Sequence, residues 1–331
     1  MSGDAAQRLL RALCAQSPCS GSELAARAGV TRAAVWKQIE ALRTEGVAIE
    51  AQAGRGYRLA APIELLDARA IAAHLSPVLR RRFGGIEVHW RIDSTNSALL
   101  RTAAGDERVL AACLAERQTH GRGRRGRGWH MPLGGGIALS LRRRFDGSMA
   151  ALAGLSLAIG VAVVRALAKH ELAGVGLKWP NDVVVDGRKL AGILIELTGE
   201  AHGPCVAVIG IGLNLRLGVA GQAIDQPWTD LATLAGTAMP GRNVLAADLL
   251  AEIAAATDVF ALHGFAAFVD DYARLDVLAG RSLRMLGTPT LVQGIGRGVD
   301  AQGRLRLACA HGECVVDSGE VSVRTIDGTV A

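Results

Sequence analysis

The stretch GRGRRGRGW, residues 121–129, sets four arginines and four glycines ahead of a tryptophan. Arginine offers forked N–H donors that match carboxylate and phosphate oxygens, and glycine lets the main chain approach an anion closely. The stretch is too poor in apolar side chains for a core and too rich in glycine for a helix. Gly121, Gly123 and Gly126 reproduce the spacing G-x-G-x-x-G. That fingerprint has to open a helix, which Gly128, Pro132 and Gly134–Gly136 forbid. No G-K-[ST] follows, so a Walker A loop is excluded. Nor does the stretch repeat as nucleic-acid-binding Arg/Gly tracts do. It sits once, between the apolar strand candidates VLAACLAE and IALSL. The reading is a local anion site on a loop between two buried strands.

Three further stretches carry chemistry. DSTNS, 93–97, follows a strand candidate and precedes ALLRTAA, so it caps a helix with several small polar groups suited to a neutral polar ligand. A plain N-cap would need only one of them. KWPND, 178–182, leads into VVV-DG-RKLAGILIE, where Asp186-Gly187 is a strong two-residue hairpin turn and Lys189 opens the return strand. A lysine there either snorkels to solvent or supplies a fixed positive charge to a site. IGIGLNL, 209–215, alternates glycine along one strand face, leaving room for a flat ligand or another backbone.

Around these lies a chain of 331 residues, half hydrophobic, whose length suggests about two domains. The net charge of +6 is not spread evenly: Arg117–Phe145 holds eight arginines and no acid. The six cysteines form no Cys-x-x-Cys and no zinc spacing, which points to reduced thiols in a cytoplasmic protein. The N-terminus lacks the pattern of a signal peptide, and the uncharged run Gly147–Val164 reads as a buried helix, with no membrane partner.

Residues 4–15 read as a helix, followed by two more: Ser22 caps one through Ala28, Gly29 turns the chain, and Thr31 caps the next. In the last, Val35, Ile39 and Leu42 face inward, leaving Arg32, Ala33, Trp36, Lys37 and Arg43 mainly outside, and Thr31, Arg32, Ala33, Trp36 and Lys37 are its candidate DNA contacts. VAIEA and GYRLA make a hairpin with Arg55 at its tip. The unit is a winged helix-turn-helix whose third helix suits a major groove and whose Arg55 suits a phosphate. Its modest charge implies binding as a dimer on two-fold operator DNA. From about Arg274, short alternating strands form a small β-barrel. The fold class is α/β (α+β), with a winged helix over 1–62, a catalytic domain over 63–273 and the barrel over 274–331.

In this order, DSTN, QTHGRGRRGRGW, KWPND, RKLAGILIE and GIGLNL resemble the biotin protein ligases, and with the winged helix the bifunctional ligase–repressor type. The resemblance spans nearly the whole chain. It implies a biotin/lipoate ligase-like, class II synthetase-like central mixed sheet with flanking helices and an SH3-like C-terminal barrel. It implies a biotin–[acetyl-CoA-carboxylase] ligase that makes biotinyl-5′-AMP from biotin and ATP with Mg²⁺ and passes biotin to a lysine of the biotin carboxyl carrier protein. It assigns Arg122, Arg124 and Lys189 to catalysis, Arg124 foremost. Ser94, Thr95, Asn96, Gln118, Gly121, Arg122, Gly123, Arg124, Lys189 and Gly192 fall to biotin. Arg124, Arg127, Trp129, Lys178, Asn181, Asn214 and Trp228 fall to the nucleotide, and Asp182 is a candidate proton acceptor. Magnesium would ride on the ATP without a protein cage, so no metal ligands are assigned. Homodimerisation of the adenylate-bound form is implied as well. Three alternatives remain: a ligand-sensing regulator without catalysis, a lipoate-type acyl ligase, and a biotin ligase whose winged helix is vestigial or devoted to other contacts. The arginine set with Lys189 argues against the first, and the arginine loop itself against the second.

Overall fold

A computed structural model describes residues 2–102, 109–200, 203–287, 292–318 and 322–326. The first unit is the expected winged helix: α1 (Ser2–Ala15), α2 (Gly21–Ala28), α3 (Arg32–Thr44), and the wing strands β1 (Ile49–Gln52) and β2 (Gly56–Leu59). Thr31 caps α3, accepting from the Ala34 N–H at 3.3 Å, and Val35, Ile39 and Leu42 are buried. The cap of α2 is Ser20, not Ser22. Ser20 closes a reciprocal capping box with Glu23, which satisfies two helix-end donors where Ser22 would satisfy one. Gly29 ends the helix at φ 65°. Thr31, Arg32, Ala33, Trp36, Lys37 and, on the wing, Arg55 all face solvent.

The central layer continues as α4 (Ala68–His74), α5 (Pro77–Arg80), β3 (Phe83–His89), α6 (Thr95–Arg101), β4 (Leu110–Ala115), β5 (Gly136–Phe145), α7 (Leu155–Ala168), β6 (Val175–Lys178), β7 (Asp182–Val185), β8 (Arg188–Gly199), β9 (Cys205–Asn214), α8 (Leu231–Ala235), α9 (Arg242–His263) and α10 (Val269–Leu275). The seven strands form one mixed sheet, ordered β3-β4-β5-β9-β8-β7-β6, with only β3 and β4 parallel. The Asp186-Gly187 turn has φ of 48° and 70°, the positive values a tight two-residue hairpin requires. Met149–Ala168 is long and apolar enough to cross a membrane, but 61 % of it is buried inside the protein, against the sheet and α9. All six cysteines are free thiols, and burial pushes Cys113 up to about 12.

The last strands, β10 (Ser282–Leu286), β11 (Gln293–Val299), β12 (Leu305–Cys309), β13 (Gly312–Val316) and β14 (Ser322–Thr325), form a five-stranded antiparallel sheet ordered β13-β12-β11-β10-β14. The SH3-like expectation holds as five short antiparallel strands, whose ladder stays open between β13 and β14 among the described residues. The expected boundary after residue 273 falls inside α10.

The three units share one frame. Leu133 joins the apolar core of the winged helix, and its N–H donates to the Glu45 carbonyl at 3.0 Å. The connecting segment 63–67 is clamped to the head of α9. Arg242, 3 % exposed, donates to the Glu64 carbonyl at 2.6 Å, the Gly136 carbonyl at 2.8 Å and the Glu116 carboxylate at 2.8 Å. Glu116 in turn accepts from the Leu66 N–H at 2.5 Å. At the other end, the Trp179 indole donates to the Gly303 carbonyl at 3.0 Å, pinning KWPND to the C-terminal sheet.

The junction after α10 carries a strained charge. Asp276 accepts from the Leu278 N–H at 2.9 Å through Oδ1, while its Oδ2 is buried without a partner. Burial therefore raises its pKa to about 6, against the Leu278 hydrogen bond that lowers it. A carboxyl whose pKa is raised on folding adds stability below its unfolded value and loses it as pH climbs through the folded value. Asp276→Asn is thus expected to gain stability over wild type as pH rises from 4 to 7, measured by urea unfolding. A difference that is constant across that range would contradict the assignment.

Candidate active site

The register of three strands builds the site floor. On one face, Ala138 of β5, Gly212 of β9 and Gly192 of β8 lie in a row, followed by Ser140, Gly210 and Leu194, then Arg142, Val208 and Glu196. The room left by the alternate glycines is taken by the protein's own side chains rather than held open. A methyl on Gly212 would come within 2.3 Å of the Trp129 indole, and one on Gly210 within 2.4 Å of Asn96 Oδ1. Both glycines are required by close approach.

A shift of register between β7 and β8 at Val183/Val184 aims the lysine. Asp182 pairs with Gly192 and Val184 with Lys189, so the bulge puts Lys189 and Gly192 on the same face although three positions separate them. Lys189 Nζ lies 2.6 Å from Asp182 Oδ1 and 5.6 Å from the centre of the Trp129 ring. It is directed into the site, not snorkelling to water.

The arginine loop crosses above this floor. Arg125 takes φ 59° and Gly126 φ 70°, making the tight bend that turns neighbouring guanidinium groups inward. Arg122 Nη2 donates to Glu196 Oε2 at 2.9 Å. Arg124 reaches the Ser318 carbonyl of the C-terminal unit. Burial pulls the Arg124 pKa down, Asp182 opposes that, and Arg125 adds to it. Lys178 is likewise lowered by burial, and further by Arg324 and Lys189, with Asp182 opposing. Cations crowded this closely favour an anionic occupant.

The loop, the floor and the head of α6 enclose a cavity of about 500 Å³. It brings together Ser94, Thr95, Asn96, Gln118, Arg122, Gly123, Arg124, Arg127, Trp129, Lys178, Asn181, Asp182, Lys189 and Gly192. At its polar end the Thr95 N–H donates to Gln118 Oε1 at 2.8 Å, and the hydroxyls of Thr95 and Ser140 are 2.7 Å apart. Asn181 is tied to β8, its Nδ2 donating to the Ile193 carbonyl at 2.8 Å.

Three expected residues stand outside this cavity. Gly121 lies beneath it, its carbonyl accepting from the Trp129 N–H at 2.8 Å, where a methyl would meet the Trp129 carbonyl at 2.5 Å. Asn214 and Trp228 border an adjoining recess of about 30 Å³ that they share with Trp129 and Lys189. Asn214 Nδ2 donates to the carbonyls of Lys189 and Thr229 at 3.3 and 3.1 Å, leaving its buried Oδ1 unpartnered. Buried Trp129 Nε1 is unpartnered too. These are hydrogen-bonding groups with unused capacity in the cavity walls.

Sequence reasoning missed Ser140, Glu196 and Arg324. Ser140 is the lone hydroxyl in an apolar strand, and Glu196 is four residues beyond Gly192 on the same strand face, so both left a local signal. Arg324 enters the cavity from β14, while Arg297 on β11 is exposed and lies near Glu313. No local pattern distinguishes the two.

Residues 88–214 match the model of the biotin/lipoate A/B protein ligase family, and residues 6–58 match a helix-turn-helix domain. The chain is 39% identical over 312 residues to the bifunctional ligase/repressor BirA of Salmonella typhimurium, covering 93% of this chain and 94% of that one. The chain belongs to the biotin protein ligases. Within that family it is also 38% identical to the biotin–[acetyl-CoA-carboxylase] ligase of Mycobacterium tuberculosis, over 71% of this chain and 88% of that protein. Among solved structures, the biotin protein ligase of Aquifex aeolicus in complex with biotin and ATP superposes with a TM-score of 0.64 at 27% identity, over 73% of this chain and all of that one.

The bare strip makes a sharp test of this ligase. Gly212→Ala should lift Trp129 off the sheet and cut ligase activity at least tenfold. Gly85→Ala, whose methyl would meet nothing within 4 Å, should leave activity unchanged. Equal activity of the two variants would show that the indole need not lie on the strip.

Proposed function

We propose that the chain condenses biotin with ATP to biotinyl-5′-AMP, releasing pyrophosphate, and transfers the biotinyl group to one lysine of an acetyl-CoA carboxylase carrier domain, releasing AMP. The observation that carries this is the pairing, in one cavity, of a neutral polar end with a strongly cationic one. A cyclic urea needs hydroxyl and amide partners, which Ser94, Thr95, Asn96 and Gln118 supply. The carboxylate and the triphosphate need cations.

In the first step the biotin carboxylate oxygen attacks the α-phosphorus and the bond to the pyrophosphate oxygen breaks. Two anions must meet, so Arg122, Arg124 and Lys189 offset their repulsion and stabilise charge developing on the α-phosphate. Arg127, Lys178 and Arg324 take the phosphate chain, and Trp129 covers the apolar part of the ligand. Asn214 and Trp228 hold the adenine from the adjoining recess. In the second step the lysine amine attacks the acyl carbon, AMP leaves, and Asp182 takes the amine proton. The described residues contain no cluster of three or more His, Cys, Asp or Glu suited to a metal.

The winged helix extends the proposal to a biotin-responsive repressor that works in the cytoplasm and binds operator DNA as a homodimer once the adenylate is made. Its exposed helix face supports this reading, with Arg32 and Lys37 free to meet phosphates or base edges.

Lys189→Met and Arg124→Gly are each expected to lower biotin-dependent pyrophosphate release at least a hundredfold in folded protein, followed with labelled biotin, ATP and a carrier domain. Unchanged release in both would remove these cations from the chemistry. Arg32→Ala with Lys37→Ala should weaken operator binding at least tenfold at fixed salt while ligase activity stays intact, in a gel-shift titration. Undiminished binding would show that another face reads the DNA.

A further inference from the structure

One carboxylate oxygen joins the two ends of the site. Glu196 Oε2 accepts from Arg122 Nη2 at 2.9 Å and from Asn96 Nδ2 at 2.8 Å. Asn96 Nδ2 also lies 3.3 Å from the Leu194 carbonyl, so both amide protons have acceptors on β8. This fixes the amide orientation, because Oδ1 in that place would face only acceptors. Asn96 Oδ1 is turned instead to Ser140 Oγ, 2.6 Å away. A serine hydroxyl has one proton and Oδ1 can only accept, so Ser140 donates it to Asn96. Ser140 is fully buried and Asn96 is 4 % exposed, so neither oxygen has bulk water as a substitute partner. The chain of contacts runs from Gln118 through Thr95, Ser140, Asn96 and Glu196 to Arg122.

We propose that Glu196 is a positioning residue for the biotin subsite, fixing the Asn96 amide and, through Ser140, the Thr95 hydroxyl at the cavity's polar end, and holding Arg122 over the sheet for the ligand's carboxylate. The proposal rests on the reading of the cavity as a biotin site. The register supports it independently: Glu196 shares its strand face with Gly192 and Leu194, so the strand that forms the floor also aims this carboxylate. The Arg122–Glu196 pair is partly solvated, with side chains 43 % and 27 % exposed, so as an ion pair it adds little to folding. Its consequence lies in where it holds Arg122. Holding groups in their bound geometry strengthens binding by removing the cost of ordering them.

The test is steady-state kinetics of the full chain with biotin, ATP and a carrier domain. Glu196→Gln keeps the shape but loses the charge, and its amide can present a donor to Arg122 and Asn96. It should raise the KM for biotin at least tenfold, with the KM for ATP within twofold of wild type and the thermal midpoint unchanged. Glu196→Ala should raise the KM for biotin further. Ser140→Ala, which cuts the same chain of contacts on its far side, should raise it selectively as well. An unchanged KM for biotin in Glu196→Gln overturns the proposal. So does a parallel loss in both KM values and kcat with a lowered midpoint, which marks a purely structural residue. If Glu196→Gln does not fold, Ser140→Ala decides: selective weakening of biotin supports the assignment, and none overturns it. Absence of biotin-dependent turnover in the wild-type protein would instead refute the ligase reading itself.

Discussion

Mutual repulsion of cations is the constraint around which this protein is built. Seven lysine and arginine side chains border one cavity together with two aspartates. Two like charges 4 Å apart repel by about 4 kcal/mol at the effective dielectric of a protein surface. Such a cluster persists only if the backbone fixes its members and nearby carboxylates absorb part of the field. The pairings of Lys189 with Asp182 and Arg122 with Glu196 do the second. The first falls to a bulged strand for Lys189 and a tight loop with a left-handed Arg125 for the guanidinium groups. The charge left over suits an incoming nucleotide and carboxylate.

The same frame ties the ligand cavity to the winged helix. The segment after Trp129 runs through Met131 to Leu133, and Leu133 is part of the winged helix's own core. A methyl on Gly46, just past α3, would strike Pro132 at 2.5 Å and approach Ala220 at 3.8 Å. The end of α3 therefore abuts the two segments that border the ligand cavity and its recess. The buried pair of Arg242 and Glu116 fixes the connecting segment two residues from Gln118. Cutting a buried pair by removing one partner costs about 3–5 kcal/mol, so loss of either side chain would weaken this junction.

Much of the fold was legible because its signals are local. Val35, Ile39 and Leu42 gave the buried face of α3, Asp186-Gly187 gave the hairpin, and the uncharged run before Arg165 gave the core helix. Strand ends are set by pairing, not composition: the strand ahead of DSTNS runs from Phe83 to His89, beside β4. The site was legible in its motifs, since loop, lysine strand and capped helix each carry their own residues. What escaped was long-range. The sequence suggests empty space above Gly210 and Gly212, which Asn96 and Trp129 fill from elements more than eighty residues away. Arg324 reaches the cavity only because the C-terminal sheet docks on KWPND through Trp179 and Gly303.

The most direct test of the central claim is a crystal structure with a non-hydrolysable sulfamoyl analogue of the acyl-adenylate. The account predicts the linker oxygens within hydrogen-bonding distance of Arg124 and Lys189, with the urea ring against Ser94, Thr95 and Asn96. An adenylate seated elsewhere, or those cations turned away from it into solvent, would contradict the account.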